Sequence, residues 1–153
     1  MIDTIVKFIK THEDAVLPNP KHRMEYSNGA NKGDTGFDLS SVEEVTVPAK
    51  GSALVNTGLK LASMSPNIWC AIAPRSGLGF KHGIQPHLGV IDNGYTGDLG
   101  VKLYNLSDED YKVSKGDRIA QLIFYPLITP FTEWTEIADE TERGEKGFGS
   151  SGK

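Results

Sequence analysis

Glycine and proline cut this chain into short pieces. Seventeen glycines and eight prolines are spread through 153 residues. The apolar segments between them are rich in Val, Ile and aromatic residues and fall at positions 5–9, 42–49, 52–62, 67–73, 88–105, 111–128 and 131–134. Short β-branched and aromatic runs bounded by turn residues read as the many strands of a sandwich or barrel. No segment sustains a helical apolar period with a cap at each end. The best helical candidate is a turn or two after Ser76, weakened by Gly77, Gly79 and Gly83. No internal repeat of fixed period is present.

Length and charge narrow the classes of function. A chain of 153 residues is one domain's worth of sequence. Hydrophobic residues make up 38% of it, enough to build a core. Sixteen basic residues against twenty acidic ones leave a net charge of -4. That argues against holding nucleic acid by bulk charge, so an anionic ligand has to be met by a local cluster. No apolar run approaches the ~20 residues that cross a bilayer, and the N-terminal residues lack a secretion signal. A single cysteine, Cys70, excludes an internal disulfide framework and fits a reducing compartment, so a cytoplasmic location is expected. His12, His22, His82 and His87 are scattered and show no zinc-ligand spacing.

Local patterns add detail. Asn93-Gly94 separates residues 88–91 from residues 99–103, which reads as a β-hairpin with residues 92–97 at its tip. Residues 119–125 are nearly unbroken apolar, as in a strand buried on both faces. Pro126 and Pro130 limit the residues after that run to an edge or to a crossing between subunits.

Five segments carry groups capable of chemistry. The end of the chain mixes Arg143, Lys146 and Lys153 with glycines, Ser150, Ser151 and one aromatic, Phe148. Glycines let backbone N–H groups approach phosphate oxygens, and a guanidinium can grip one with two donors. By composition alone the same stretch is a loose Gly/Ser tail. Residues 147–153 match G-x-x-x-x-G-K, but no hydroxyl residue and no helix come after it, so the match is a decoy. Pro74 to Gly79 comes after an apolar strand and gathers N–H groups, a hydroxyl and a guanidinium; it reads as an anion site or a plain turn. Asp92, beside Ile91 and ahead of Tyr95, is either a base toward water or an Asp that stabilises its own turn, and alone the turn is favoured. Asp38, in residues 33–39, has the same two readings. Gln121 is an amide inside an apolar run, so it needs partners: either it joins a network or faces a wet site, or it is a satisfied amide next to a plain structural Asp117–Arg118 turn.

Together these segments resemble the five ordered motifs of the homotrimeric dUTP pyrophosphatase (dUTPase) family: residues 35–39, 74–79, 89–105, 116–123 and 143–152. Each is weak alone, but five in order at family-like spacing are specific. The resemblance implies an all-β jelly-roll, or distorted β-barrel, over residues 1–142, a Gly-rich lid arm over residues 143–153, and a homotrimer with shared sites. It implies Mg²⁺-dependent hydrolysis of dUTP to dUMP and pyrophosphate. Asp92 is similar to the carboxylate that activates water for attack on the α-phosphorus, and Tyr95 to the residue that packs against deoxyribose. The backbone around Gly89, Val90, Ile91 and Gly100 corresponds to the uracil reader. Arg75, Ser76 and Gly77 correspond to phosphate binders, and Gln121 to the amide at the α-phosphate and the metal's waters. Asp38 corresponds to a carboxylate reaching the metal through water. Arg143 corresponds to the γ-phosphate clamp, Phe148 to the group stacked on uracil, and Gly149 and Ser150 to the rest of the lid. Lys146 stands where glycine is common, and His87 where some members place an asparagine against uracil. No stable nucleic-acid binding and no membrane association are expected. Two rival readings share parts of the pattern: a dCTP deaminase-like enzyme, and a nucleotide-dependent regulator that binds a protein partner.

Overall fold

The computed structural model describes residues 4–20 and 33–149. Ten strands and one short helix run in order: β1 (Val6–Lys10), β2 (Phe37–Ser40), β3 (Val45–Val47), β4 (Ser52–Met64), β5 (Ile68–Ala73), α1 (Ser76–His82), β6 (Ile84–Pro86), β7 (Gly89–Ile91), β8 (Asp98–Asn105), β9 (Tyr111–Val113) and β10 (Arg118–Pro126). They form two four-stranded sheets, β1-β4-β8-β6 and β2-β10-β5-β7, and a two-stranded ribbon, β3-β9. Every pairing is antiparallel. The many short strands are those the glycine-punctuated sequence leads one to expect, and their all-β jelly-roll is the fold the family resemblance implies.

The alternation of side chains explains how the sheets close on a core. In β8, Leu99, Val101 and Leu103 point inward while Gly100 and Lys102 point out. Leu39, Val47, Val55, Leu61, Ile84, Val113, Ile119 and Leu122 are almost wholly buried around them. Each such side chain is worth roughly 1.5–3 kcal/mol of transfer free energy. Asn105 is among the polar side chains buried with them. The Asn105 amide donates to the Val47 and Glu109 carbonyls at 3.0 and 2.7 Å and accepts from the Ser107 N–H and hydroxyl at 3.0 and 2.7 Å. All four of its hydrogen-bonding positions are used, so its burial carries little penalty.

The apolar run at residues 119–125 is β10, the inner strand between β2 and β5. Ile119, Ala120 and Leu122 are buried, whereas Tyr125 at the far end is exposed. The helix after Ser76 is present despite its glycines. Gly83 ends it at φ 65°, donating its N–H to the Gly79 and Leu78 carbonyls.

Two expectations change. The segments flanking Asn93-Gly94 do not form a hairpin with each other. β7 pairs with β5, and β8 pairs with β4 and β6, so the 92–97 turn passes from one sheet to the other. The ladder that was expected there lies one element earlier, between β6 and β8, extended by the His87 N–H to the Lys102 carbonyl at 2.7 Å. The second change concerns residues 131–134, which form no strand. Phe131 and Trp134 are fully exposed there, with Ile128 and Ile137 nearly so.

Candidate active site

Strand register assembles the first group of side chains. Asp38 of β2 lies opposite Gln121 of β10, and Gln121 lies opposite Ala73 of β5. Arg75 and Ser76 come just after Ala73, where β5 opens into α1. One row across three strands therefore brings together residues from three of the five motifs.

Charge and hydrogen bonds hold this group rigid. The Asp38 carboxylate is mostly buried and meets Arg75 Nε at 3.1 Å and Arg118 Nη1 at 3.6 Å. Arg75 Nη1 also donates to the Arg118 carbonyl at 3.2 Å. Gln121 Nε2 donates to the Pro74 carbonyl at 2.8 Å. Its Oε1 is pressed against Gly36, where an added Cβ would lie 1.6 Å away. Around these groups opens a cleft of about 410 Å³ that includes Gly36, Asp38, Arg75, Ser76, Gly77 and Gln121. A second cleft, of about 320 Å³, shares Arg75 and is walled by Tyr111, Asp117 and Arg118.

Sequence reasoning passed over Arg118, treating it as part of a turn. Asp117 does serve the turn, accepting from the Ser114 N–H at 2.9 Å, but Arg118 reaches Asp38. The available signal was a cation at the mouth of a buried strand, with the Asp38 carboxylate still in need of a counter-charge.

The second group sits on β7 and the turn after it. β7 is an edge strand, so one row of its backbone N–H and C=O groups has no strand partner among the described residues. Gly89 and Gly100 sit where a Cβ would crowd Ile72 at 3.3 Å and Leu54 at 3.1 Å. Asp92 is exposed, and among the described residues its carboxylate has no ion pair and accepts no hydrogen bond. The Tyr95 N–H donates to the Asp92 carbonyl at 3.0 Å, closing the turn. The Tyr95 hydroxyl donates to the Asp98 carbonyl at 2.8 Å. Gly97 makes room for that ring, since a Cβ there would lie 2.3 Å from Oη.

The third group is the arm. Arg143 Nε donates to the Lys146 carbonyl at 2.7 Å, and the Lys146 N–H donates to the Arg143 carbonyl at 3.3 Å. Gly144 and Gly149 have φ of 55° and 95°, and Phe148 between its glycines has φ 47° with a fully exposed ring. A positive φ is costly for a residue with a side chain, and glycine neighbours give the chain the freedom to adopt it there. Ser150 lies outside the described residues.

One chain does not bring these groups together. Ile91 is opposite Cys70, three residues or about 10 Å of strand from Ala73, and Asp92 continues away from Gln121. Neither Asp92, Tyr95, Arg143 nor Phe148 lines either cleft. Thiol chemistry has no place here either. Cys70 is buried, and burial pushes its thiol up to about 11, so it stays protonated and inert at neutral pH.

The chain belongs to the dUTPase family, whose model matches residues 22–152. It is 46% identical over 148 residues to the deoxyuridine 5'-triphosphate nucleotidohydrolase of Oryza sativa subsp. japonica, covering 97% of this chain and 81% of the relative. The Arabidopsis thaliana protein of the same name is 50% identical over 146 residues, covering 95% and 82%. The fold superposes on the Staphylococcus bacteriophage 80alpha dUTPase, solved with dUpNHpp, with a TM-score of 0.80 and 28% identity over 97% of this chain and 98% of that one. A mutant dUTPase of phage phi11 of S. aureus, described as coordinating a structural Mg(II) ion, aligns with a TM-score of 0.75 and 25% identity over 89% and 99%.

Proposed function

We propose that this chain is a dUTP diphosphatase whose sites are completed by neighbouring copies in a homotrimer. The reading is carried by one observation: a rigid Asp38–Arg75–Gln121 cleft in a dUTPase-family chain whose own Asp92 and Arg143 lie outside it. The rival deaminase-like and regulator readings draw less support, since the relatives are named as dUTP nucleotidohydrolases.

In this reading each site takes its phosphate binders, Arg75, Ser76, Gly77 and Gln121, from one copy. Asp92, Tyr95 and the β7 edge come from a second, and Arg143, Phe148, Gly149 and Ser150 from a third. The backbone of Gly89, Val90, Ile91 and Gly100 reads the polar edge of uracil, and Phe148 covers the base. Tyr95 fills the space a 2′-hydroxyl would need. The unpaired Asp92 carboxylate takes a proton from water as its oxygen attacks the α-phosphorus. The bond from that phosphorus to the bridging oxygen of the β-phosphate breaks, giving dUMP and pyrophosphate. The arm closes over the site, excludes bulk water and holds the attack in line.

Charge explains why the arm is needed. Arg75 and Arg118 against Asp38 leave one positive charge in that cluster to face a triphosphate. Arg143 and Lys146 bring two more. Among the described residues no three His, Cys, Asp or Glu side chains gather to hold a metal. Mg²⁺ would not need such a cage: it keeps most of its waters, which Asp38 and Gln121 Oε1 would accept from. When bound, the ion neutralises and orients the triphosphate.

Pyrophosphate release from each deoxynucleoside triphosphate, with and without Mg²⁺, tests the assignment. Release from dUTP alone, lost without the metal, is expected; an enzyme that turns over dCTP and ignores dUTP refutes it. Asp92→Asn should lower turnover about 10²–10⁴-fold while dUpNHpp still binds. Normal turnover by that variant sinks the base assignment.

A further inference from the structure

We propose that Asn93 is a positioning residue for Asp92: its side-chain amide clamps the 92–95 turn onto the loop between β4 and β5. The Asn93 Nδ2 donates to the Ser65 carbonyl at 2.8 Å and to the Ile68 carbonyl at 2.9 Å. Both amide hydrogens are used, and both acceptors are backbone. Only the NH₂ end can face two carbonyls, so the orientation of the amide is fixed by its partners.

The clamp matters because Asp92 has little else to hold it. β7 ends at Ile91, and the 92–95 turn contains a single backbone bond, Tyr95 N–H to the Asp92 carbonyl. Gly94, in the middle of the turn, has nothing within 4 Å of where a Cβ would be. A carboxylate on such a turn swings freely unless its neighbour is anchored. Asn93, directly after Asp92, supplies that anchor.

The loop it grips is itself tied down on two sides. The Ser65 N–H donates to the Ile5 carbonyl at 2.9 Å, and the Ile5 N–H to Ser65 Oγ at 2.8 Å. The Asn67 carbonyl accepts from the Leu127 N–H at 2.9 Å, at the point where the chain leaves β10 for the arm. Asn67 holds φ 64°, a conformation asparagine tolerates better than most residues. The residue beside the base is thus bolted to the N-terminal segment and to the end of β10 through one loop. The inference rests on Asp92 being the base.

Two variants, Asn93→Ala and Asn93→Asp, test it beside the wild type. Asp keeps the shape of Asn but presents no donor to the two carbonyls. Each variant should lower kcat by about ten- to a hundredfold, the scale on which a ~1 Å misplacement acts. Affinity for dUpNHpp should stay within a few-fold, and hydrogen exchange at the Tyr95 amide should speed up. A packing role alone would spare Asn93→Asp, so wild-type kcat in that variant overturns the proposal. Unchanged exchange at Tyr95 overturns it too, as does failure of both variants to fold. A wild type inactive on dUTP sinks the proposed function instead, and the exchange measurement still reads the clamp without catalysis.

Discussion

Gly36 and Gln121 are in contact so close that any Cβ on residue 36 must displace the Gln121 amide. A Cβ on residue 36 would lie 1.6 Å from Gln121 Oε1 and 2.4 Å from its Cδ. Gly36→Ala should therefore rotate Gln121 away from the Pro74 carbonyl. Expected is a loss of at least about tenfold in kcat, with about 1–3 kcal/mol of destabilisation from overpacking. In a double-mutant cycle with Gln121→Ala the second change should add little, because the clash and the amide vanish together. Additive losses in steady-state kinetics would show that the two residues act separately.

Tyr95 and Gly97 make a similar pair, and Tyr95 is the residue proposed to face the sugar. Gly97→Ala would place a carbon 2.3 Å from the Tyr95 hydroxyl and push the ring off the Asp98 carbonyl. If Tyr95 has the proposed role at the 2′ position, the ratio of kcat/KM for dUTP over UTP should then drop by about tenfold or more. Tyr95→Phe keeps the ring and loses one hydrogen bond, worth about 0.5–1.5 kcal/mol. It should retain most of the discrimination.

Truncation after Glu142 should separate activity from stability. The bonds of Arg143 and Lys146 run to each other, and Gly144 bonds only Thr141, so residues 143–149 contribute no such bond to the barrel. The thermal midpoint should stay within about 2 °C, because no core contact is lost, while dUTP turnover falls by at least about a hundredfold. A truncated protein with full activity would remove the lid from the mechanism.

The N-terminal segment is pinned by an ion pair with a definite pH window. Asp14 Oδ2 lies 2.5 Å from Lys115 Nζ, and His12 Nδ1 is 3.8 Å away. The hydrogen bond to Lys115 holds the Asp14 carboxyl below its ordinary 3.8 and raises Lys115 above 10.5. A lowered carboxyl favours folding above 3.8 and loses that contribution as pH falls through its folded value. A raised ammonium favours folding below 10.5 and loses it as pH rises through its own. Asp14→Asn should thus lower the melting temperature slightly at pH 7. The gap to wild type should close below pH 3.8 and again above 10.5. A gap that persists at both extremes would point to packing rather than charge.

The fold was legible where one strand's own side chains carry the information. The apolar run from Ile119 announced an inner strand. A turn or two of helix after Ser76 was legible too, but Gly83, read as weakening it, is the left-handed residue that ends it. Pairing was not legible in the same way. Alternation in residues 88–91 and 99–103 says that both are strands, but not that Cys70 rather than Val101 sits opposite Ile91. Asn-Gly made a hairpin the economical choice, yet Asn93 turned out to spend its amide on the Ser65 and Ile68 carbonyls. Arg118 was missed because its partner lies 80 positions away, across a β2–β10 register that no local pattern encodes. Residues 131–134 read as one more short strand from their aromatic content, yet among the described residues nothing pairs with them and Phe131 and Trp134 are bare.

That exposure gives the protein a built-in optical reporter. Of its two tryptophans, Trp69 is already stacked on Tyr125 with centroids 4.7 Å apart, whereas Trp134 stands in solvent. Indole emission moves to shorter wavelength as water leaves the ring. If copies of the chain assemble over Trp134, a blue shift with rising protein concentration would come mainly from it, and its midpoint would measure how tightly they hold one another without a label attached to either.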